Sequence, residues 1–227
     1  MPPADWQTIR VEHDGPVATL TLCRPDKRNA LSIALRDEVS DALDAIAEHV
    51  ETKVVILTGE GDVFCAGFDL GEFGDLAPQH QQRLWASSDR FHHTVMRFPL
   101  PTIAAVNGPA LAGGFDLACL CDIRIASSNA RFGHPEQQWT TVLHRILRDL
   151  VGGATARDIV FTGRSVDAAE ALRLELVVDV VAGEQLMQSA QSRATMIANA
   201  PRAALMRTKA KMVAGVGIPP GTPTLDF

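Results

Sequence analysis

Two glycine-bearing segments carry the residues whose types and spacing best suit acyl chemistry. The first, Phe64–Leu70, reads FCAGFDL, and the second, Asn107–Asp116, reads NGPALAGGFD. Each follows an apolar run typical of a buried strand, so the two turns can aim two backbone N–H groups at one carbonyl oxygen. Preorganised donors of this kind stabilise a thioester oxygen as it gains negative charge, and losing one donor costs about 2.7–4 kcal/mol. The two segments therefore predict oxyanion or enolate chemistry.

Two acidic residues lie where they could move a proton during such a reaction. Asp116 comes three residues after Gly113, and Glu136 belongs to the sequence FGHPE. Carboxyls in different surroundings can divide acid and base roles, because burial raises the pKa of one towards the working pH while the other stays ionised. Each residue also has a structural reading, in which Asp116 charges the first turn of a helix and Glu136 lies in a surface loop. The two residues by themselves leave both readings open.

Histidines and cysteines give weaker signals. His144 and Arg145 follow an apolar run and could act near an acyl group, although such a histidine is more often structural or on the surface. The pair at 92–93 has no acidic partner at ligand spacing, and the four cysteines form no metal-binding pattern. We therefore expect no metal site.

Strands and helices alternate in an order that would position both glycine segments. The pattern predicts a hairpin from Ile9–Val11 and Val17–Leu22, and buried strands at Val54–Thr58 and Thr102–Val106 that each end at one glycine segment. Ser32 is a candidate N-cap for the first helix. Helical spacing occurs at residues 31–50, 79–98, 114–121, 157–161, 168–174 and 184–212. This order predicts an α/β fold with one main domain.

Composition and charge exclude several classes of protein. The 227 residues are enough for one sizeable core, and a formal net charge of −6 leaves no basic stripe for nucleic acid. The uncharged stretch 98–115 is interrupted by prolines and glycines, so it does not predict a transmembrane helix. No secretory leader precedes the first predicted strand. We expect a cytoplasmic protein that binds neither nucleic acid nor a membrane.

The glycine segments, together with the FGHPE sequence, resemble the crotonase superfamily, also called the enoyl-CoA hydratase/isomerase family. The resemblance extends over about residues 8–212 and includes the RP and NAL motifs that begin at Arg24 and Asn29. It implies an α/β spiral of ββα units, which we place at residues 1–183, and a trimer or a dimer of trimers. A C-terminal helical segment with a loose Pro/Gly tail is expected at residues 184–227.

The resemblance also implies roles for individual residues. The backbone N–H groups of Phe68 and Gly113 would hold the thioester oxygen of a coenzyme A substrate, with no tightly bound cofactor. Asp116 and Glu136 match the two glutamates that share a water molecule in hydratases of the family. The residues that would line the adenine and pantetheine path or approach the nucleotide are Ala66, Phe68, Asp69, Leu70, Gly113, Lys27 and Arg28.

The sequence departs from those hydratases at two places. Asp116 is one methylene shorter than glutamate, and a displacement of about 1 Å can cost about 100-fold in rate. A glycine- and proline-rich turn, which in the family helps to place the water, is replaced by WTTVLHR at residues 139–145. We predict an enoyl-CoA hydratase. The alternatives are an enoyl-CoA isomerase that uses Glu136 alone and an acyl-CoA-binding protein with weak catalysis.

Overall fold

The computed structural model describes residues 5–227, so the first four residues of the predicted core segment 1–183 lie outside the described residues. The strands of the described part are β1 (Ile9–Asp14), β2 (Val17–Leu22), β3 (Val54–Gly59), β4 (Thr102–Val106), β5 (Ala110–Leu111), β6 (Ile123–Ser127), β7 (Arg131–Gly133), β8 (Val166–Asp167) and β9 (Asp179–Val181). The helices are α1 (Ile33–Glu48), α2 (Pro78–Arg97), α3 (Gly113–Leu120), α4 (Arg145–Val151), α5 (Gly153–Thr162), α6 (Ala168–Arg173), α7 (Leu186–Ala198) and α8 (Arg202–Val216). Within residues 5–227 no helix combines the length and apolar character needed to cross a bilayer.

The main sheet has six strands in the order β1-β2-β3-β4-β6-β9. β1 and β2 form an antiparallel hairpin in which Val11 lies opposite Leu20, as the sequence predicts. The pairings from β2 to β9 are all parallel. Parallel neighbours place their carboxyl ends at one edge of the sheet, where open α/β sheets bind their ligands. The glycine turns that follow β3 and β4 therefore lie side by side at that edge.

A second, three-stranded sheet was not predicted from the sequence pattern. β5 pairs with β7 in parallel, with Leu111 opposite Gly133, and β7 pairs with β8 in antiparallel fashion. These strands have two or three residues, too few for a period-two pattern to be recognised. The pairing of β5 with β7 brings the chain that leads to Asp116 beside the chain that leads to Glu136.

The buried side chains form two clusters on the two faces of the main sheet. In β3, Val55 and Leu57 belong to the larger cluster, whereas Val54 and Ile56 belong to the cluster that includes α7. This division follows the period-two alternation of a strand. The buried face of α7 has alanines at positions 190, 194 and 198, and side chains of this size let the helix approach the sheet closely. The fully apolar run of β3 thus reflects burial on both faces.

The C-terminal segment departs from the expected long helix and loose tail. Pro201 divides the predicted helical segment into α7 and α8, because proline lacks a backbone donor and its predecessor disfavours helical backbone. The tail is packed against α2: the Thr224 N–H donates to Asp89 Oδ1 at 2.7 Å, and Ile218 and Phe227 are buried. Proline and glycine interrupt regular structure here, but the apolar side chains of Ile218 and Phe227 still pack into the core.

Candidate active site

The turns after β3 and β4 interlock through their backbones. A Cβ atom on Gly114 would clash with the carbonyl oxygen of Cys65, and a Cβ atom on Gly67 would lie only 3.2 Å from the nitrogen of Gly113. The Leu111 N–H donates to the Cys65 carbonyl oxygen at 2.9 Å. Glycine is required at positions 67 and 114 because only its missing side chain permits this approach. The two turns therefore act as one rigid unit.

The backbone N–H groups of Phe68 and Gly113, which belong to this unit, have no acceptor among the described residues. Leu31 bonds to both neighbours of Phe68: its N–H donates to the Gly67 oxygen at 2.8 Å, and its oxygen accepts the Asp69 N–H at 3.3 Å. Successive N–H groups of extended backbone point in opposite directions, so the Phe68 N–H faces away from Leu31. Gly113 is the first residue of α3, where N–H groups have no acceptor within the helix. Both predicted donors are thus free to bind an oxygen.

Ala112 fixes the direction of the second donor. It has φ 52° and ψ −131°, a backbone conformation that residues with a side chain rarely adopt. Its N–H donates to the Gly133 oxygen at 2.9 Å, and its own oxygen accepts the N–H groups of Phe115 and Asp116 at 2.8 and 3.1 Å. Hydrogen bonds on both sides therefore hold the peptide group that carries the Gly113 N–H.

Asp116, His134 and Glu136 form a cluster whose polar atoms lie within 4.8 Å of one another. The His134 Nε2–H donates to Asp116 Oδ1 at 2.8 Å, and the two side chains are only 1% and 6% exposed. Both carboxyls were predicted from the sequence, but His134 was not. Its only sequence signal is its place two residues before Glu136, and its contact with Asp116 depends on the pairing of β5 with β7.

The surroundings of Glu136 favour its protonated form. Burial raises its pKa to about 7, the nearby Asp116 adds to the rise, and His134 opposes it. One of its oxygens, Oε2, is buried and has no hydrogen-bond partner within the described residues. Glu136 therefore titrates near neutral pH, where both its protonated and its ionised forms are accessible.

The pKa of His134 is also shifted. Burial favours the neutral imidazole, but the Asp116 carboxylate outweighs burial and raises the pKa above its ordinary value. Two carboxylates and an imidazole are also a donor set that suits a divalent metal. The hydrogen bond between His134 and Asp116 already explains why these two groups lie together.

The ring of Phe68 forms a wall beside the free N–H groups. A Cβ atom on Gly113 would lie 3.0 Å from Cε2 of this ring, and the Arg36 guanidinium carbon lies 4.7 Å from the ring centroid. Arg36 is fully buried and donates to the Leu31 oxygen at 3.1 Å. Burial lowers its pKa to about 10, which leaves it charged near neutral pH. Arg36 was not predicted from the sequence, because its position in α1 does not indicate that it is buried.

His92 lies on the other side of Phe68, with the two ring centroids 6.3 Å apart. Its Nδ1 contacts the Ser88 oxygen at 2.8 Å, whereas its buried Nε2 has no partner among residues 5–227. Burial lowers the pKa of His92, so the ring is neutral near pH 7. The histidine that was considered only for metal binding is thus a buried neighbour of Phe68.

The residues predicted to meet the coenzyme A nucleotide lie at the surface next to the first turn. The Ala66 N–H donates to the Arg28 oxygen at 3.0 Å, and the side chains of Lys27 and Arg28 are exposed. Leu70 is 81% exposed, so its apolar side chain is accessible at the same edge. The structure thus brings basic and apolar groups together at the edge of the turn.

Asp69 and His144 are occupied elsewhere. Asp69 Oδ2 accepts from Arg24 at 2.9 Å and Oδ1 accepts the Gly71 N–H at 3.2 Å; although burial would raise the pKa of Asp69, these contacts lower it. His144 precedes α4, and its N–H donates to the Phe227 oxygen at 3.2 Å. In the part of the chain that the structure describes, its side chain forms no hydrogen bond to the acidic cluster.

Comparison with known proteins identifies the family. A family model described as Enoyl-CoA hydratase/isomerase matches residues 12–224. This chain belongs to the enoyl-CoA hydratase/isomerase family. It is 36% identical over 211 residues to a probable enoyl-CoA hydratase of Mycobacterium tuberculosis, a match that covers 90% of this chain and 80% of the relative.

Other members of the enoyl-CoA hydratase/isomerase family agree in sequence and in structure. A short-chain-enoyl-CoA hydratase of Clostridium acetobutylicum is 37% identical over 213 residues, which covers 91% of this chain and 81% of the relative. The crystal structure of an enoyl-CoA hydratase from Bacillus anthracis has a TM-score of 0.88 at 33% identity and covers 94% of this chain and 85% of its own. The α/β crotonase fold and the class of acyl-CoA-processing enzyme are therefore confirmed.

Proposed function

We propose that this enzyme adds water across the double bond of a 2-enoyl-CoA thioester. The observation that carries the proposal is that the acidic cluster lies beside the turn that contains Gly113. Asp116, a member of the cluster, is in the first turn of the helix that Gly113 begins. Of the two carboxyls, Glu136 holds a proton near neutral pH and Asp116 accepts a hydrogen bond from His134. One acid and one base are what the addition of water requires.

The proposed reaction uses each of these groups once. The N–H groups of Phe68 and Gly113 donate to the thioester oxygen. As the water oxygen bonds to the β carbon, its proton passes to Asp116. The electron pair of the carbon–carbon double bond forms a new double bond between the α carbon and the carbonyl carbon, and the carbonyl pair moves to the thioester oxygen, which gives an enolate. Glu136 then gives its proton to the α carbon, and the product is a 3-hydroxyacyl-CoA. A proton that passes from Asp116 to Glu136 within the cluster restores the starting state.

For the coenzyme A part of the substrate, we propose the surface beside the first turn. Lys27 and Arg28 supply positive charge for the phosphates, and the exposed side chain of Leu70 supplies an apolar contact for pantetheine. Ala66 and Asp69 contribute backbone to the same path. The proposal needs no tightly bound cofactor, since coenzyme A arrives as part of the substrate.

The direct test is the absorbance of the conjugated thioester of crotonyl-CoA after enzyme is added, with mass analysis of the product. Hydration predicts loss of the absorbance and a product heavier by one water. An unchanged spectrum at enzyme concentrations that bind the thioester would contradict the proposal and favour the acyl-CoA-binding alternative.

The pKa of Glu136 predicts how hydration depends on pH. Because Glu136 acts as the acid, kcat/KM should fall as the pH rises through about 7, by about tenfold for each further pH unit as the protonated fraction declines. The measurement is the initial rate with crotonyl-CoA between pH 7 and about 9. A rate that stays constant over this range would show that the proton on Glu136 is not required.

A second candidate function is the shift of a double bond from the 3 to the 2 position. The observation in its favour is that Asp116 already bonds to His134, whereas Oε2 of Glu136 has no hydrogen-bond partner among the described residues. An isomerase would use ionised Glu136 to remove the α proton, so its rate would persist at alkaline pH. Conversion of a 3-enoyl-CoA to the conjugated thioester would identify this activity.

The assembly and location of the enzyme are also proposals. In keeping with the family resemblance, we propose a homotrimer or a dimer of trimers that works in the cytoplasm. Large exposed apolar side chains, among them Trp139, Phe161 and Met196, provide surface that an assembly can cover. Sedimentation velocity would distinguish the monomer from either assembly.

A further inference from the structure

Asp116 is hydrogen-bonded to a second buried side chain, that of His134. His134 directly follows β7 and precedes Pro135, while Asp116 belongs to α3, so the hydrogen bond between them joins two separate elements. Asp116 Oδ1 is occupied by this bond, and Oδ2 has no partner among the described residues. The carboxylate therefore has one anchored oxygen and one that remains available.

Within residues 5–227, two neighbours of Asp116 change charge near neutral pH. The titratable groups that act on it or on its partner are His92 from α2, Cys65 from the first turn, Cys119 from α3 itself, and His134 and Glu136 after β7. Burial raises the pKa of both thiols and lowers that of His92, so these three groups are neutral. The charge that Asp116 experiences is thus set by His134 and Glu136.

We propose that His134 is a positioning residue for the hydration: its Nε2–H fixes Asp116 through Oδ1, so that Oδ2 accepts the proton of the attacking water. This inference rests on the proposed function. The Asp116 side chain is one methylene shorter than that of glutamate. The hydrogen bond from His134 holds its carboxylate in one orientation, which limits the loss of rate from misplacement. Such control matters because a displacement of about 1 Å can cost about 100-fold in rate.

The two ring nitrogens of His134 have separate tasks in this arrangement. Nε2 carries hydrogen in both charge states, because it donates to Asp116. The proton that titrates is the one on Nδ1, which is buried and has no partner among residues 5–227. When that proton is lost, the positive charge beside Asp116 disappears, and with it the electrostatic repulsion that opposes the approach of a proton from the attacking water. Activity should therefore increase as His134 becomes neutral.

Two substitutions distinguish the effect of the His134 hydrogen-bond donor from the effect of its positive charge. His134→Gln keeps an N–H donor of similar reach but cannot titrate, whereas His134→Leu keeps the volume and removes the donor. For the parent we expect a bell-shaped profile of kcat/KM with an acidic limb from His134 and an alkaline limb from Glu136. His134→Gln should retain kcat within about tenfold and lose the acidic limb, and His134→Leu should lose about 100-fold in kcat with little change in KM.

The control for folding is the far-ultraviolet circular dichroism and melting temperature of each variant. A merely structural histidine would lower the melting temperature of both variants without removing one limb of the pH profile. A His134→Leu enzyme with the kcat of the parent, or a His134→Gln enzyme that keeps the acidic limb, would overturn the inference.

A readout without turnover tests the pair by itself. In long-range proton–nitrogen NMR spectra, the ring of His134 should titrate above the ordinary histidine pKa of 6.5 in the parent, and Asp116→Asn should lower that pKa. A parent that fails to hydrate crotonyl-CoA would contradict the proposed function, even if this pair is present. An active parent whose His134 titration is unchanged by Asp116→Asn would overturn the present inference alone.

Discussion

Gly113→Pro should reduce kcat/KM with crotonyl-CoA by about 100- to 1000-fold. Proline removes the N–H that Gly113 offers to the thioester oxygen, and the loss of one oxyanion donor has an effect of this size. Proline itself is compatible with the first position of a helix, so α3 can still form. The measurement is the initial rate of hydration at subsaturating substrate. The same loss is expected for isomerisation, because both reactions pass through an enolate.

Gly113→Ala is the matched control for this experiment. A Cβ atom at position 113 would lie 3.0 Å from the Phe68 ring and 3.2 Å from Leu31, and both variants introduce it, but only alanine keeps the N–H. We therefore expect Gly113→Ala to retain much more activity than Gly113→Pro. Equal losses in the two variants would show that crowding, and not the missing donor, is responsible. Full activity in Gly113→Pro would remove the oxyanion assignment.

Glu136→Gln should reduce kcat for hydration by at least about 100-fold, since a positioned general acid contributes about 100- to 10,000-fold. Glutamine has nearly the same shape as glutamate but cannot deliver a proton to the α carbon. Turnover of crotonyl-CoA measures the effect, and retained binding of a coenzyme A thioester would show that the site is intact. Glu184→Gln, at an exposed position, is the matched control and should have the kcat of the parent.

The same substitution should change how stability depends on pH. Because the folded-state pKa of Glu136 is raised from 4.5 to about 7, the folded chain binds this proton more tightly than the unfolded chain does. The resulting stability is present below about pH 4.5 and is lost as the pH rises through 7. Above pH 7, Glu136→Gln should therefore be more stable than the parent by about 1–3 kcal/mol, allowing for partial solvent screening. Urea unfolding at two pH values tests this, and an equal free-energy difference at both would contradict the raised pKa.

The sequence was sufficient for features that depend on local chain geometry. The glycine-bearing segments, each after an apolar run, predicted two turns that can present backbone N–H groups, whereas the choice of Phe68 and Gly113 as donors followed from the family resemblance and stays a prediction. Ser32 also acts as the predicted cap, with its Oγ accepting the Leu35 N–H at 3.2 Å. The Ser32 cap joins residues three positions apart, so residue types and spacing suffice to predict it, whereas the contact between Gly67 and Gly113 joins segments 46 positions apart.

Features that depend on distant contacts were not visible. His134 reaches Asp116 only when the short strands β5 and β7 pair. Neither strand is long enough to have a recognisable sequence pattern. Arg36 is charged and lies on a helix, which favours an exposed position, yet the Phe68 ring and three protein acceptors bury it completely. The packed tail was missed for the same reason, since Thr224 meets Asp89 across 135 positions of chain.

The unusual backbone conformation of Ala112 affects how much substrate binding energy is needed to orient the donor. A residue with a side chain at φ 52° and ψ −131° is strained, typically by about 1–3 kcal/mol, and it persists only because the surrounding hydrogen bonds enforce it. The free-energy cost of that strain is part of folding, and it does not recur when a substrate binds. In the proposed reaction, an arriving thioester therefore meets a Gly113 N–H that already has its direction, and its binding energy is not consumed in reorganising the turn.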